Sequence, residues 1–434
     1  MGRRFRLTPM PEPALSEMES WLMRSLDLAV LLAAGSPGGS SCLASTTSLE
    51  PAGGRHTSVA PAKFAERGKK GGVYAYEQRY LGDESRYAVV IDSKQSQLNR
   101  AEQALAQAVE DGHPLLSRVP HVQVTYERDG MVERYYDLTL PHRVFDGHIR
   151  AGMIDGQPTT QTAAYRAVRD ATPANARALL ETSPVTLVFG GWDSSRRSRQ
   201  GRWRSALVGE IVGFVSASRD GTGVLTEPKP GMRGGARVDP VGMQINLGKK
   251  VMAETAERQR AELSPGNYDG IVKVANGIKP GDAKSASALG LGGIPPTLDQ
   301  LAGVACDTII RTHVLSFATL RQMRFGAGVE GDAACRALLA ALALNALARS
   351  DAELYLRANC DLVEAEVPMV RLDQRGGEFL DVEPLSIDAA DLLLSEALAH
   401  AEKVADVTWS GLALRVTGNP DIVSGAVDTD AEEK

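Results

Sequence analysis

Cysteine is scarce in this chain. Its four copies, Cys42, Cys306, Cys335 and Cys360, lie far apart and none falls in a C-x-x-C pair, which argues against a zinc ribbon, a thioredoxin motif or a disulfide scaffold. A reducing cytoplasm is the expected home. Long apolar runs are missing too: the early stretch LAVLLAA, Leu28 to Ala34, falls well short of the roughly 18 consecutive apolar residues of a membrane span. The basic start MGRRFR ahead of that run has the outline of a secretory signal, but Glu17, Glu19, Arg24 and Asp27 interrupt the approach. No H-E-x-x-H or other ligand pattern recruits a metal, and GGWDSS lacks the G-x-S-x-G order of a serine hydrolase. No fixed-period repeat is visible, and neither a cofactor nor a membrane partner is expected.

What is present is an ordinary globular composition, 43% hydrophobic and 24% charged over 434 residues, enough for two to three structural units and for a core that needs no staple. The net charge of −6 hides a split. Residues 331–434 hold 20 Asp/Glu against 8 Lys/Arg, whereas residues 1–330 hold 40 Lys/Arg against 34 Asp/Glu. A polyanion therefore belongs on the first three quarters of the chain, and the acidic end DTDAEEK reads as a solvated tail.

Local patterns give a mixed α+β class. Residues 1–40 read as an extension with one short helical pattern from Trp21 to Ala34, and Ala44 to Gly72, rich in Gly, Ser, Thr, Pro and basic residues, as an exposed loop. YAVVI (Tyr87–Ile91) predicts a buried strand passing into a helix over Gln95–Glu110. HVQVTYE and ERYYDLTL flank an Asp-Gly turn and predict an antiparallel hairpin. Thr160–Glu181 reads as helix broken at Pro173, PVTLVF (Pro184–Phe189) as a strand, and Ala206–Ser216 as a long strand. Residues 219–296 change character, with many Gly, Pro and Lys, as expected of an inserted hairpin or arm. Leu298–Phe325 and the alanine-rich Asp332–Arg349 show helical spacing; Glu353–Glu366 reads as a strand, Asp388–Val407 as a helix and Thr408–Thr417 as a last strand. The expected division is 1–40, 41–218, 219–296, 297–366 and 367–434.

Two segments point to chemistry. Arg196, Arg197, Arg199, Arg202 and Arg204 surround Trp203, with no acidic residue between Asp193 and Glu210. Guanidinium groups pair with phosphate oxygens and an indole offers a stacking face to an unpaired base; a solvated charge run is the equally weighted alternative. DSKQSQLNR (Asp92–Arg100) sits where strand becomes helix, so free amides, Ser93, Gln95, Ser96 and Asn99, and the charges of Lys94 and Arg100 would suit a phosphate. An ordinary cap, with Asp92 or Ser93 bonding the next amides, is the simpler reading taken alone. His142 and His148 in LPHRVFDGHIR raise acid–base RNA cleavage, though scattered histidines are more often structural, and Asp146 could orient Arg143. ALGLGGIPP ends in Pro295 and Pro296 with no Walker lysine, so its glycines suit close backbone approach better than a phosphate loop.

Taken in succession, TTSLEPAGGRHTS (46–58), IDSKQSQLNRAE (91–102), LPHRVFDGHIR (140–150), PVTLVFGGWDSSRRSRQGRWRSALVGEIVG (184–213), LGLGGIPP (289–296), LSFATLRQMRF (315–325) and LRANCDLVEAE (356–366) resemble the CRISPR-associated RAMP backbone protein of type I-G (formerly I-U) systems. The resemblance implies a ferredoxin-like or RRM-like palm with an antiparallel sheet, an inserted thumb within about residues 219–267 and finger-like loops. It implies a non-catalytic subunit that binds CRISPR RNA, stacks head to tail with further copies of itself, joins other subunits of an interference complex and supports recognition of target DNA. By position it assigns RNA contact to Ser93, Lys94, Gln95, Ser96, Asn99 and Arg100 and to the loop Arg196–Arg204 with Trp203. His142 and Arg143 fall in a family-like PHR motif. The alternative is a metal-independent CRISPR RNA endoribonuclease of the same superfamily using His142 or His148. Residues 1–40 and those after about Glu366 have no counterpart in the resemblance.

Overall fold

The computed structural model describes residues 24–66, 72–128, 130–193, 201–216, 220, 222, 224–228, 231–237 and 240–424, with the backbone alone for 232–237 and 294–300. Its strands used below are Cys42–Pro51 (β1), Tyr76–Leu81 (β2), Glu84–Asp92 (β3), His121–Arg128 (β4), Met131–Tyr136 (β5), Leu207–Phe214 (β6), Thr308–Ser316 (β7), Leu362–Glu364 (β8), Met369–Asp373 (β9), Phe379–Val382 (β10) and Leu412–Thr417 (β11). Its helices are Leu28–Gly35 (α1), Lys94–Glu110 (α2), Pro184–Phe189 (α3), Lys249–Arg258 (α4), Pro265–Asn276 (α5), Gly328–Glu353 (α6) and Ile387–Ala405 (α7).

A large antiparallel sheet runs β10-β9-β1-β7-β6-β3-β2, with β8 beside the far end of β1. Strand periodicity is clearest in β7, where Ile309, Arg311, His313 and Leu315 are buried while Thr308, Ile310, Thr312 and Val314 are half-buried on the other face. Helices cover the first face. Every residue of α6 from Gly331 to Ala346 is buried, among α1, α2, α3 and α7. Helix α6 is long and apolar enough to cross a bilayer, but its neighbours already enclose it, and each buried leucine such as Leu338 or Leu342 contributes roughly 2 kcal/mol there. This mixed α+β architecture, a broad antiparallel sheet backed by helices, fits an RRM-like palm.

A second sheet joins β5, β4 and β11, extended by Met153–Ile154 and Gln157–Pro158. The β4–β5 hairpin is antiparallel about the expected turn, with Gly130 at φ +79°, a left-handed conformation natural to glycine. Strand β11 pairs parallel with β4, Val416 opposite Val124.

Several expectations are corrected. Pro184–Phe189 is helical, with proline in its first turn and all six residues buried; a short run buried on all sides carries no period to separate helix from strand. Leu298–Phe325 contains β7 and the end of Ile294–Leu301, with only Phe317–Leu320 helical, because the β-branched run TIIRTHV buries alternate residues. Between Ala44 and Gly72, β1 is a central strand rather than loop: its Ser and Thr side chains are small enough to lie in the sheet, with Leu43, Thr47 and Leu49 buried. Of Glu353–Glu366 only β8 is strand. Helix α1 packs Val30, Leu31 and Ala34 into the main core, so this part of the supposed extension folds with the palm. Strands β9 and β10 and helix α7, from the acidic last quarter, likewise complete the sheet and its cover. Within 219–296, Met232–Arg237 and Ile294–Leu301 form a hairpin-like stem, while α4 and α5 enclose a separate cluster of Met252, Ala256, Ile271, Ala275 and Ile278.

Candidate nucleic-acid interface

Strand β3 ends at Asp92, and Ser93 caps α2 by accepting from the Ser96 amide at 3.3 Å. The cap expected as the plain alternative is thus present. From there the helix sorts its side chains by face. Lys94, Gln95, Leu98 and Asn99 line a cleft of about 780 Å³, whereas Ser93, Ser96 and Arg100 do not. Arg100 is spent internally: its Nε donates to Asp92 Oδ2 at 3.0 Å, and its Nη1 to the carbonyls of Tyr355 and Leu356. Arg357 takes Asp92 Oδ1 at 2.5 Å. Burial alone would raise the Asp92 pKa, but the bonds from Arg100 and Gln97 hold it below its ordinary value. Arg100 therefore neutralises a buried carboxylate rather than presenting a free charge.

The LPHRVFDGHIR segment divides in the same way. His142 lines the cleft with an exposed side chain. Arg143, at φ +51°, also lines it, but its guanidinium donates to Glu102, Nη2 to Oε2 at 2.7 Å, and lies 6.0 Å from the centre of the Phe189 ring. Burial pushes Glu102 up to about 6 despite that partner. Asp146 does not orient Arg143; it caps Gly147–Arg150, accepting from the amides of His148 and His142 at 2.9 and 3.2 Å. His148 is held by the Tyr126 hydroxyl, 2.7 Å from its Nδ1, and stacks on Tyr135 with centroids 5.6 Å apart.

The third wall is the turn after α3. Gly190 stops the helix at φ +88°, and a Cβ there would come 2.8 Å from the Trp203 carbonyl oxygen. That close approach allows Gly191–Trp192 to pair antiparallel with Arg202–Trp203, Trp192 opposite Arg202. Alternation along this ladder decides the indoles. Trp203 is turned inward at 7% exposure, while Trp192 is 45% exposed with the Arg202 guanidinium carbon 4.9 Å over its ring. The expected stacking role of Trp203 is therefore corrected: it is core, and the available indole is Trp192. The signal that could have found it is the pairing of GGW with RW, whose alternation puts Trp192 with Arg202 on one face and Trp203 with Gly191 on the other, the face against Phe145 and Thr186. Arg202 and Arg204 are exposed; Arg196, Arg197 and Arg199 lie outside the described residues.

Three segments far apart in sequence thus converge on one cleft: the start of α2, the 138–143 stretch and the 189–192 turn, with Trp203, Ser205 and Val208. Among the described residues the side chains of Lys94, Gln95, Asn99 and Arg204 have no hydrogen-bond or ion-pair partner. They offer charge and neutral donors to a phosphate beside an aromatic face, a chemistry suited to a single nucleic-acid strand. No curated protein matches the chain. Residues 43–217 match the family described as CRISPR-associated protein GSU0053 (Cas_GSU0053), a span that holds every residue of this cleft and indicates a CRISPR-associated protein.

Proposed function

We propose that the chain is a non-catalytic, cytoplasmic, guide-RNA-binding backbone subunit of a type I-G interference complex, repeated head to tail along the CRISPR RNA beside other subunits and presenting the guide to target DNA. The observation that carries this reading is the cleft itself, where Lys94, Gln95 and Asn99 face His142 and Trp192. Unpaired donors and one exposed indole grip phosphate and base without reading base edges, which leaves the guide free to pair. A non-closing contact between copies would let one gene cover a long strand. The nuclease alternative is less well supported, because His148 is already bonded to Tyr126 and stacked on Tyr135.

The test is binding of the full chain to two unrelated single-stranded RNAs over a salt series. Combined Lys94→Ala, Arg202→Ala and Arg204→Ala should weaken both equally and reduce the logarithmic salt slope by about 2, at roughly 0.7 per lost phosphate contact. An unchanged slope removes these residues from the interface. Metal-independent cleavage abolished by His142→Ala would replace the binding reading with the enzymatic one.

A further inference from the structure

A second cavity, of about 1000 Å³, opens between the C-terminal end of α6, strands β1, β7, β8 and β9, and the start of α7. It is separate from the RNA cleft: the two share no lining residue. Its wall is apolar, with Leu26, Leu43, Leu344, Leu347, Val370 and Leu385. Its charges are almost all negative. Glu353, Glu364, Glu383 and Asp388 stand at exposed positions, with Asp351 deeper, and only Arg311 is cationic. Arg311 is 1% exposed and already faces two carboxylates, Glu364 at 2.6 Å and Asp351 at 3.3 Å. His313 adds no charge, since burial pushes its pKa down to about 3. Single-stranded nucleic acid is thus repelled here.

Two further observations define what would be attracted. Arg311 Nη2 also donates to Thr47 Oγ1 at 3.3 Å, so the one cation of the lining is held by the wall itself and does not offset the rim. Beside the cavity, Tyr355 and Val367 expose 79% and 74% of their surface and Val363 43%. An occupant must therefore supply an apolar face and positive charge together. A simple amine lacks the apolar face and a nucleotide has the wrong sign. An amphipathic polypeptide segment has both, its apolar side chains for the wall and its Lys or Arg side chains for the rim.

We propose that this cavity is the docking site for a basic amphipathic segment of a partner protein, with alternating apolar and Lys/Arg residues. The carboxylates at the mouth steer the segment and set its specificity, while the leucine wall receives its apolar side chains. This surface does not depend on the RNA reading, and it gives the acidic last quarter of the chain a role that nucleic acid could not fill.

The experiment measures fluorescence anisotropy of the full chain with a labelled 12-residue leucine–lysine peptide as probe, and with a leucine–glutamate peptide of equal length. The lysine peptide should bind and the glutamate peptide should not. The Glu383→Lys/Asp388→Lys double variant should bind about tenfold or more weakly, because like charges then meet at the mouth. Val363→Asp should weaken binding separately, and the Lys94→Ala/Arg202→Ala cleft variant should leave it unchanged. Equal binding by the charge-reversed chain, displacement of the peptide by single-stranded RNA, or binding only after removal of residues 1–23 would each overturn the proposal; the last would assign the cavity to this chain's own leader. Circular dichroism melts of each variant ensure that the comparison is between folded proteins.

Discussion

The proposed RNA cleft and the acidic cavity both contain arginine, and they use it in opposite ways. In the cleft region Arg202 lies exposed over Trp192, free to meet a phosphate. In the cavity Arg311 is buried at the wall, its charge taken up by Glu364 and Asp351. Arg100 and Arg143, beside the cleft, behave like the second group: each serves a buried carboxylate, Asp92 or Glu102. A guanidinium count therefore overstates the basic surface. What identifies a binding arginine is the absence of a carboxylate within reach, together with exposure that avoids a desolvation cost.

The largest effect that would break this contrast is on stability. Arg311→Met leaves Asp351 and Glu364 without their common partner and should cost about 3–5 kcal/mol in chemical denaturation, whereas Arg202→Met should stay within about 0.5 kcal/mol, as for an ordinary surface change. Similar losses for both would mean that Arg202 is structural too. The indoles sharpen the comparison next. Trp192→Ala should cost about 1–3 kcal/mol in RNA affinity by loss of one stacking face and leave the melting temperature nearly unchanged. Trp203→Ala should do the reverse, opening a core cavity at about 3–5 kcal/mol. If Trp192→Ala leaves RNA affinity intact, the exposed indole has no part in the cleft.

The sequence was most legible where a period ran long enough to be unambiguous. Helices α2, α6 and α7 and the β4–β5 hairpin follow from apolar spacing and from one Asp-Gly turn. It was least legible where burial is complete or polar residues are small. Helix α3 is buried on every side, and β1 hides a central strand behind Ser and Thr. The site divides along the same line. That DSKQSQLNR starts a helix beside a cleft was readable; that Arg100 turns away to Asp92 was not, because the Tyr355 and Leu356 carbonyls that accept from Arg100, and Arg357, which shares Asp92, come from more than 250 positions away. Trp203 looked like a stacking residue because a loop rich in arginine suggests exposure, and only its pairing opposite Gly191 turns it inward.

The smallest effect separates buried acids from exposed ones through pH. Asp137 is wholly buried, its Oδ1 accepts from the Val122 amide at 2.8 Å, and burial pushes its carboxyl up to about 7. Because its folded pKa lies above the ordinary carboxylate value, the native state holds a proton that the unfolded chain has already released. Its contribution to stability is therefore complete below about pH 4 and is lost as pH rises through about 7. Glu102 and Asp351, each raised to about 6 by burial, act in the same sense, whereas His313, lowered to about 3, loses its contribution as pH falls from about 6.5. Asp137→Asn keeps the acceptor for Val122 and removes the titration, so urea denaturation between about pH 4 and 7 should show a slope less negative by up to about 1.4 kcal/mol per pH unit. An identical pH profile in the variant would mean that Asp137 stays ionised in the folded protein. A cation would then have to compensate it, and the second sheet would join the cavity of Arg311 as a place where buried charge is paired.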